Sequence, residues 1–479
     1  MFPTTLSVSL VVIILAVLYS KWYPTVVEVT NPTETRIAIA WQKIVKPPSR
    51  KFERLVVGCN SNVDYIVPGI ELLQALNVKP GEKTNLDTLH SLDHLQQTFA
   101  HFFSKGAAAE RSFMDKIVFR QITDAAEKIS DLQVHIGGNA ALMATKITEM
   151  FPSVKIQYIG PVGPKLLELF PDSFTIPESS HIPQDEIHLI MEYKVGDTWG
   201  AYTAPVATRF ITSYDESNSK VTMLETFFEN LGNFNPDLVL LSGLHMLEGQ
   251  SEEFFSERLS VVKNGLKNIP VTLPVHLELA SMAHKKLMRK ILEEVAPYIS
   301  SLGLNEQELS FSSHAVGGPH KEDFEERDGQ PEIHKSTDMI LWILKTYGYS
   351  LENPDNKLTR VHFHSLTFHI IGTVKGAWHN NKAAVAAGTR TAGQQACDTP
   401  TIDPDKVRLR IPRTFRLFTG DKEREFNETN PVTSWELEGY NFEFSPVLVC
   451  AEPLKTVGLG DAISSTGLMF SEYNPDFSS

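Results

Sequence analysis

A carboxylate directly follows a glycine turn in Val457-Gly458-Leu459-Gly460-Asp461-Ala462, a pattern suited to chemistry on a phosphate. Backbone N–H groups at such a turn, where it feeds a helix, form an anion site strengthened by the helix dipole. An aspartate there stands beside a bound phosphate and can take a proton from an attacking hydroxyl. The plainer reading is a turn with Asp461 as helix N-cap. Two further carboxylates sit in short motifs. Glu278 lies in His276-Leu277-Glu278-Leu279-Ala280-Ser281, at the end of an apolar run. With Val271, Leu273, Val275 and Leu277 on one face of a strand, His276 and Glu278 point to the other. Strand ends of an open α/β sheet are where ligands bind, and a carboxylate there suits Mg²⁺, a hard cation that takes oxygen ligands. The competing reading is a partly exposed strand-end glutamate. Glu308 lies three residues after Asn305, which is also the spacing of a capping box.

Amide and carboxylate side chains cluster in Gly58-Cys59-Asn60-Ser61-Asn62-Val63-Asp64 and in Gly137-Gly138-Asn139-Ala140. On turns after strands, such groups can bond several hydroxyls, as a sugar site requires, although Asn and Asp also favour turns for local reasons.

The elements that must hold these residues read as α/β. Apolar runs at 54–57, 155–159, 238–241 and 271–279 have the character of buried parallel strands, and helical stretches such as 251–268 and 284–299 intervene. Residues 186–215 depart from this pattern. They alternate as β structure around Gly196-Asp197 and suggest a small antiparallel insertion serving as a lid. Residues 311–337 and 373–406 are polar and rich in Gly, His, Asn or Asp, and read as long surface loops.

Bulk properties narrow the function. Lys and Arg number 44 against 58 Asp and Glu, a net charge of −14, which argues against nucleic acid as a partner. Cys59, Cys397 and Cys450 are too few for a disulfide framework or a cysteine zinc site, while one pair could form in an oxidising compartment. Residues 1–20 carry no charged side chain and continue to about residue 22 as a secretory signal or a membrane anchor. Lys21, Arg36, Lys43 and Lys46 after that run favour a cytosolic body, whereas the sequon Asn427-Glu428-Thr429 has meaning only in a lumenal one.

The order of motifs, from Asn62-x-Asp64 through Gly137-Gly138-Asn139, His276-x-Glu278 and Asn305-x-x-Glu308 to Gly458-x-Gly460-Asp461, resembles the ADP-dependent sugar kinases of the ribokinase-like superfamily, over roughly residues 54–470. The resemblance, strongest to the animal type, implies a mostly parallel sheet flanked by helices with a small β-rich lid. It implies one kinase domain over 50–479, its discontinuous lid including about 186–215. It also implies phosphorylation of D-glucose to glucose 6-phosphate with ADP as donor and AMP as product. Asp461 would be the catalytic base, and Gly458 and Gly460 the anion hole. Glu278, Glu308 and Asp461 would lie at one Mg²⁺. Asn62, Asp64, Glu110, Gly138 and Asn139 would contact the sugar, and Arg209 a phosphate. Asn139 stands where archaeal relatives often have Gln. A monomer in the endoplasmic reticulum, with a possible tether through the N-terminus, completes the expectation. An ATP-using or fructose-6-phosphate-using relative, and a membrane-tethered nucleotide-binding protein without catalysis, are the alternatives. The absence of basic residues in the Asn62–Val67 and Gly137–Leu142 stretches leans towards a free sugar.

Overall fold

A computed structural model describes residues 32–324, 331–454 and 458–477. The N-terminal segment read as signal or anchor lies outside these residues. No helix among the described residues is long and apolar enough to cross a membrane.

The apolar runs become strands because each is buried on both faces. Leu55, Val56 and Val57 in Arg54–Gly58, and Leu238 to Leu241 in the strand of that range, are fully buried. Each such side chain stabilises the fold by about 1.5–3 kcal/mol. They belong to a ten-stranded sheet whose parallel part runs Arg360–His364, Ser301–Asn305, Val275–Glu278, Leu238–Leu241, Arg54–Gly58, Lys155–Ile159 and Phe174–Thr175. Phe368–Val374, Tyr440–Pro446 and Thr433–Leu437 extend it with antiparallel pairings. The strand ahead of Glu278 is shorter than its alternation suggests. It begins at Val275, and Val271 is half exposed in the preceding turn. Pro274 lacks the N–H that a longer central strand would need.

The second sheet has six strands, in the order Thr88–Leu89, Ala109–Phe113, Thr208–Ser213, Ile187–Tyr193, Asn62–Pro68 and Gln133–Gly137. Ile187–Tyr193 and Thr208–Ser213 pair antiparallel on either side of the Gly196 turn, yet they form the middle of this sheet rather than an isolated insertion. The chain passes between the two sheets four times: at residues 59–61, at Gly138, between 175 and 187, and after 213. Two of these passages are fastened together beside Glu186. Its carboxylate accepts the backbone N–H groups of Glu216 at 2.7 Å, Ser217, and Asn218 at 2.9 Å. Asn218 in turn donates to the Ser61 carbonyl at 2.8 Å.

The two stretches read as loops contain helices. Glu306–Val316 and Ile333–Tyr347 enter the first, and Asn381–Ala396 lies within the second. The last carries no broad apolar stripe. Ala383 to Ala387, Gly388, Thr389 and Ala392 are buried because small residues let it press closely on helix Leu459–Met469 and strand Tyr440–Pro446. Cys397 at its end is disulfide-bonded to Cys450, and Cys59 is free and buried.

Candidate active site

The glycine turn places its carboxylate inside a helix. Gly458, with φ of 65°, is the N-cap of Leu459–Met469, and Asp461 is the third helical residue. The N-cap reading of Asp461 is therefore replaced: the cap is a glycine, because the chain enters the helix through a left-handed conformation that glycine adopts without strain. Asp461 is 6% exposed, and its Oδ1 accepts from Asn139 Nδ2 at 3.0 Å. Burial pushes its carboxyl up to about 7, with the Asn139 bond working the other way. The first N–H groups of an α-helix have no partner within the helix, and Asp461 stands among those of Leu459–Met469.

Glu278 stands at the end of its strand with both oxygens occupied. Oε1 accepts from His364 Nε2 at 2.9 Å, and Oε2 meets His276 Nε2 at 3.0 Å and Ser464 Oγ at 2.5 Å. Burial alone would raise its pKa, but the His276 and His364 hydrogen bonds hold it down at about 2. It is not a partly exposed strand-end group: it is 3% exposed. A Cβ on Gly303 of the neighbouring strand would lie 1.8 Å from Oε2, so only glycine leaves room.

Glu308 does form the capping box. Its Oε2 accepts the Asn305 N–H at 2.8 Å, while Asn305 Oδ1 accepts the Gln307 and Glu308 N–H groups. Its Oε1 also accepts from Asn305 Nδ2 at 2.8 Å. Unlike an ordinary cap it is buried, and burial pushes it up to about 8, with the Glu278 and Asp461 charges adding to the shift.

Among the described residues no three His, Cys, Asp or Glu side chains converge as a ligand cage. The oxygens of Glu278 and Glu308 are already engaged, so direct coordination by them does not fit. Mg²⁺ held through waters does fit, since it keeps several waters by preference and Glu278 is held ionised close to Glu308 and Asp461.

The sugar candidates meet where Asn62–Pro68 pairs with Gln133–Gly137, Asn62 opposite Gly137. Asn62 Nδ2 donates to Asp64 Oδ1 at 2.6 Å, and burial raises the Asp64 carboxyl. Gly138, with φ of 87°, carries the turn past Ser61, whose Cα would be 2.6 Å from an added Cβ. Asn62, Asp64, Gly138, Asn139 and Asp461 are thus linked through this turn. Glu110 is exposed on Ala109–Phe113, its charge acting on both Asp64 and His188. Arg209 is half-buried on Thr208–Ser213, opposite Glu192, and makes no ion pair among the described residues.

Several functional-looking groups are not singled out by motif reading. His188 Nε2 lies 3.1 Å from each oxygen of Asp215. Burial opposes its charge, but Asp215 prevails and pushes it up to about 10, so a cation stands beside Asp64. His364 and Ser464 reach Glu278 from other elements. The His362-x-His364 alternation on a strand is the one sequence signal that would have pointed to His364.

The ADP-specific phosphofructokinase/glucokinase conserved region matches residues 53–470, nearly all of the sheet-forming chain. The chain belongs to this family. It is 47% identical to an ADP-dependent glucokinase of Bos taurus over 92% of this chain and 89% of the bovine one. It is 41% identical to a probable ADP-dependent glucokinase of Caenorhabditis elegans, with the same coverage. The crystal structure of a hypothetical ADP-dependent phosphofructokinase of Pyrococcus horikoshii superposes with a TM-score of 0.67 at 18% identity, covering 89% of this chain and 98% of that one. The two structures thus share a fold at low sequence identity.

Proposed function

We propose that the protein is an ADP-dependent glucokinase, transferring the β-phosphoryl group of ADP to the 6-hydroxyl of D-glucose and releasing AMP. The observation that carries this reading is the Asn139–Asp461 hydrogen bond at the start of helix Leu459–Met469. It joins the turn that carries the hydroxyl-binding candidates to a carboxylate beside an anion-binding helix end. With its carboxyl at about 7, Asp461 is ionised in a substantial fraction at neutral pH and retains enough basicity to take the hydroxyl proton. The N–H groups after Gly458 would receive the phosphate oxygens, and Arg209 would add a cation on them. Asn62, Asp64, Glu110, Gly138 and Asn139 would orient the sugar. Bound Mg²⁺, held through waters by Glu278, Glu308 and Asp461, would neutralise charge on the phosphates.

Glucose is favoured over fructose 6-phosphate by charge. Asp64 and Glu110 stand at the sugar side and would repel a second phosphate there, the His188 cation being already paired with Asp215. The test is a coupled assay of purified protein with each acceptor and with ADP or ATP. Glucose 6-phosphate formed from ADP alone is the expected outcome, and turnover only with fructose 6-phosphate or only with ATP would overturn it. A monomer serves this reading, since every group it uses comes from one chain.

Placement in the endoplasmic reticulum, with the N-terminal segment as signal or tether, belongs to the same proposal. Asn427 is exposed, and its Oδ1 accepts from the Thr429 N–H and hydroxyl. A glycosidase-sensitive mass shift that Asn427→Gln abolishes is expected of a lumenal body. Protease sensitivity in intact microsomes would exclude that placement.

A further inference from the structure

Next to Glu278 lies a line of buried polar groups that the proposed reaction does not use. Arg360 is fully buried in the strand Arg360–His364, and its guanidinium faces the Trp378 ring at 5.5 Å. No carboxylate pairs with it among the described residues. Its Nη1 donates to Ser301 Oγ at 2.8 Å, on the adjacent strand. The same Ser301 Oγ lies 2.9 Å from His276 Nδ1, one strand further. His276 Nε2 lies 3.0 Å from Glu278 Oε2.

The hydrogen positions along this line follow from the chemistry of its two ends. A guanidinium only donates, so Ser301 Oγ must accept from Arg360. That leaves the single serine hydrogen free to go to His276 Nδ1. At the other end Glu278 is an ionised carboxylate and only accepts, so the nitrogen facing it must carry a hydrogen. The carboxylate end selects the neutral tautomer of His276 with the hydrogen on Nε2, and the serine end supports it by offering its hydroxyl hydrogen to the bare Nδ1. An imidazolium would put a second cation one hydroxyl away from Arg360.

We infer that Arg360 and Ser301 are positioning residues: through one hydroxyl they lock the tautomer of His276 that donates to Glu278, and so fix the carboxylate beside the metal and phosphate site. The inference rests on the reading of Glu278 as a group that holds Mg²⁺ through waters. Its mechanical meaning is that Glu278 is gripped from three elements at once. His276 holds it from its own strand, His364 from the end of Arg360–His364 two strands away in the same sheet, and Ser464 from the helix that carries Asp461. Ser464 lies three residues beyond Asp461, on about the same face of that helix. A rotation of the Glu278 carboxylate would therefore disturb the catalytic helix as well as the waters around the metal. The other tautomer would turn a lone pair of His276 toward the carboxylate and remove one of these holds.

The test uses the full chain and two readouts. In metal-free protein, nitrogen NMR of labelled histidines reports the His276 tautomer, its signal identified by its loss in His276→Gln. Wild type is expected in the Nε2–H form, and Ser301→Ala in a mixture of forms. Arg360→Lys, which keeps a cationic donor, should preserve the wild-type form, while Arg360→Met should release it. In the assay with glucose and ADP, Ser301→Ala should raise the Mg²⁺ concentration for half-activation on the order of tenfold, the low end for groups that orient metal-holding side chains. A glutamine at 276 has a fixed N–H donor and no tautomer. In the His276→Gln background the same Ser301→Ala change should therefore shift half-activation by less than about twofold. An equal shift in both backgrounds, or an Nδ1–H tautomer in wild type, would overturn the relay. A tautomer change in Ser301→Ala without any phosphorylation of glucose by either protein would support the relay and overturn the proposed reaction instead.

Discussion

The carboxylates of the two sheets are treated in opposite ways. At the strand ends of the ten-stranded sheet, the oxygens of Glu278 and Glu308 all accept from protein donors. On the six-stranded sheet, Asp64 uses Oδ1 for Asn62, and Glu110 is exposed. The first arrangement is saturated; the second leaves Asp64 with one oxygen for a hydroxyl group although it is buried. A site that must hold a cation loosely and a sugar tightly gains from this division. In the proposed reaction Mg²⁺ would be held through waters on the first side, and the sugar's hydroxyls would find acceptors on the second.

Asp461 lies at the meeting of the two regions, and its removal should have the largest effect. Asp461→Asn retains size and one hydrogen-bonding oxygen, so the fold and ADP binding are expected to survive while turnover falls at least ~100-fold. Circular dichroism, ADP titration calorimetry and steady-state kinetics check the three parts, and near-wild-type turnover would remove Asp461 from the mechanism. Next in size is Asp64→Asn. Loss of a charged acceptor for a substrate hydroxyl costs about 1.5–3 kcal/mol, or roughly a 10- to 100-fold rise in the KM for glucose. The KM for ADP should hardly move; a change confined to ADP or Mg²⁺ would break the division between the sheets.

The smallest effects separate the two roles of Glu308. Glutamine preserves a capping box, so Glu308→Gln should leave stability near wild type and weaken Mg²⁺ activation. Glu308→Ala loses the box as well and should cost about 1 kcal/mol in a denaturant melt. An unchanged Mg²⁺ curve in both variants would make Glu308 a cap and nothing more.

The saturated region also sets a pH dependence. Glu308 at about 8 and Asp461 at about 7 lie above the usual unfolded values near 4, so the folded state binds more protons between those limits. Metal-free protein should therefore lose stability as pH climbs from about 4.5 to 8. Glu278, at about 2, acts in the other direction, its contribution complete above about 4.5 and lost as pH falls toward 2. Thermal melts across this range should show both limbs, and Glu308→Gln should flatten the alkaline limb alone.

Much of this arrangement is legible in the chain where local chemistry and position coincide. The Gly458-x-Gly460-Asp461 turn, the Asn305-x-x-Glu308 box and the buried strands each announce themselves within a few residues. Helix Asn381–Ala396 does not, because its burial comes from small side chains packed against a neighbour rather than from an apolar stripe. Glu278 reads as a strand-end acid, and nothing near it in sequence reveals that His364 and Ser464 complete its surroundings. Those partners lie 86 and 186 residues away, at separations that only the fold brings together. His188 and Asp215 escape notice for the same reason, being joined across 27 residues by the pairing of two strands.

The four passages of chain between the sheets carry a consequence for protein engineering. Because the six-stranded sheet is threaded from the other sheet and back twice, it is not a detachable module. Neither half can be expressed as one continuous segment, and swapping sugar specificity by grafting would require joining four ends at once. Altered specificity is more accessible through single positions, at the buried Asp64 or the exposed Glu110, than through exchange of the whole six-stranded sheet.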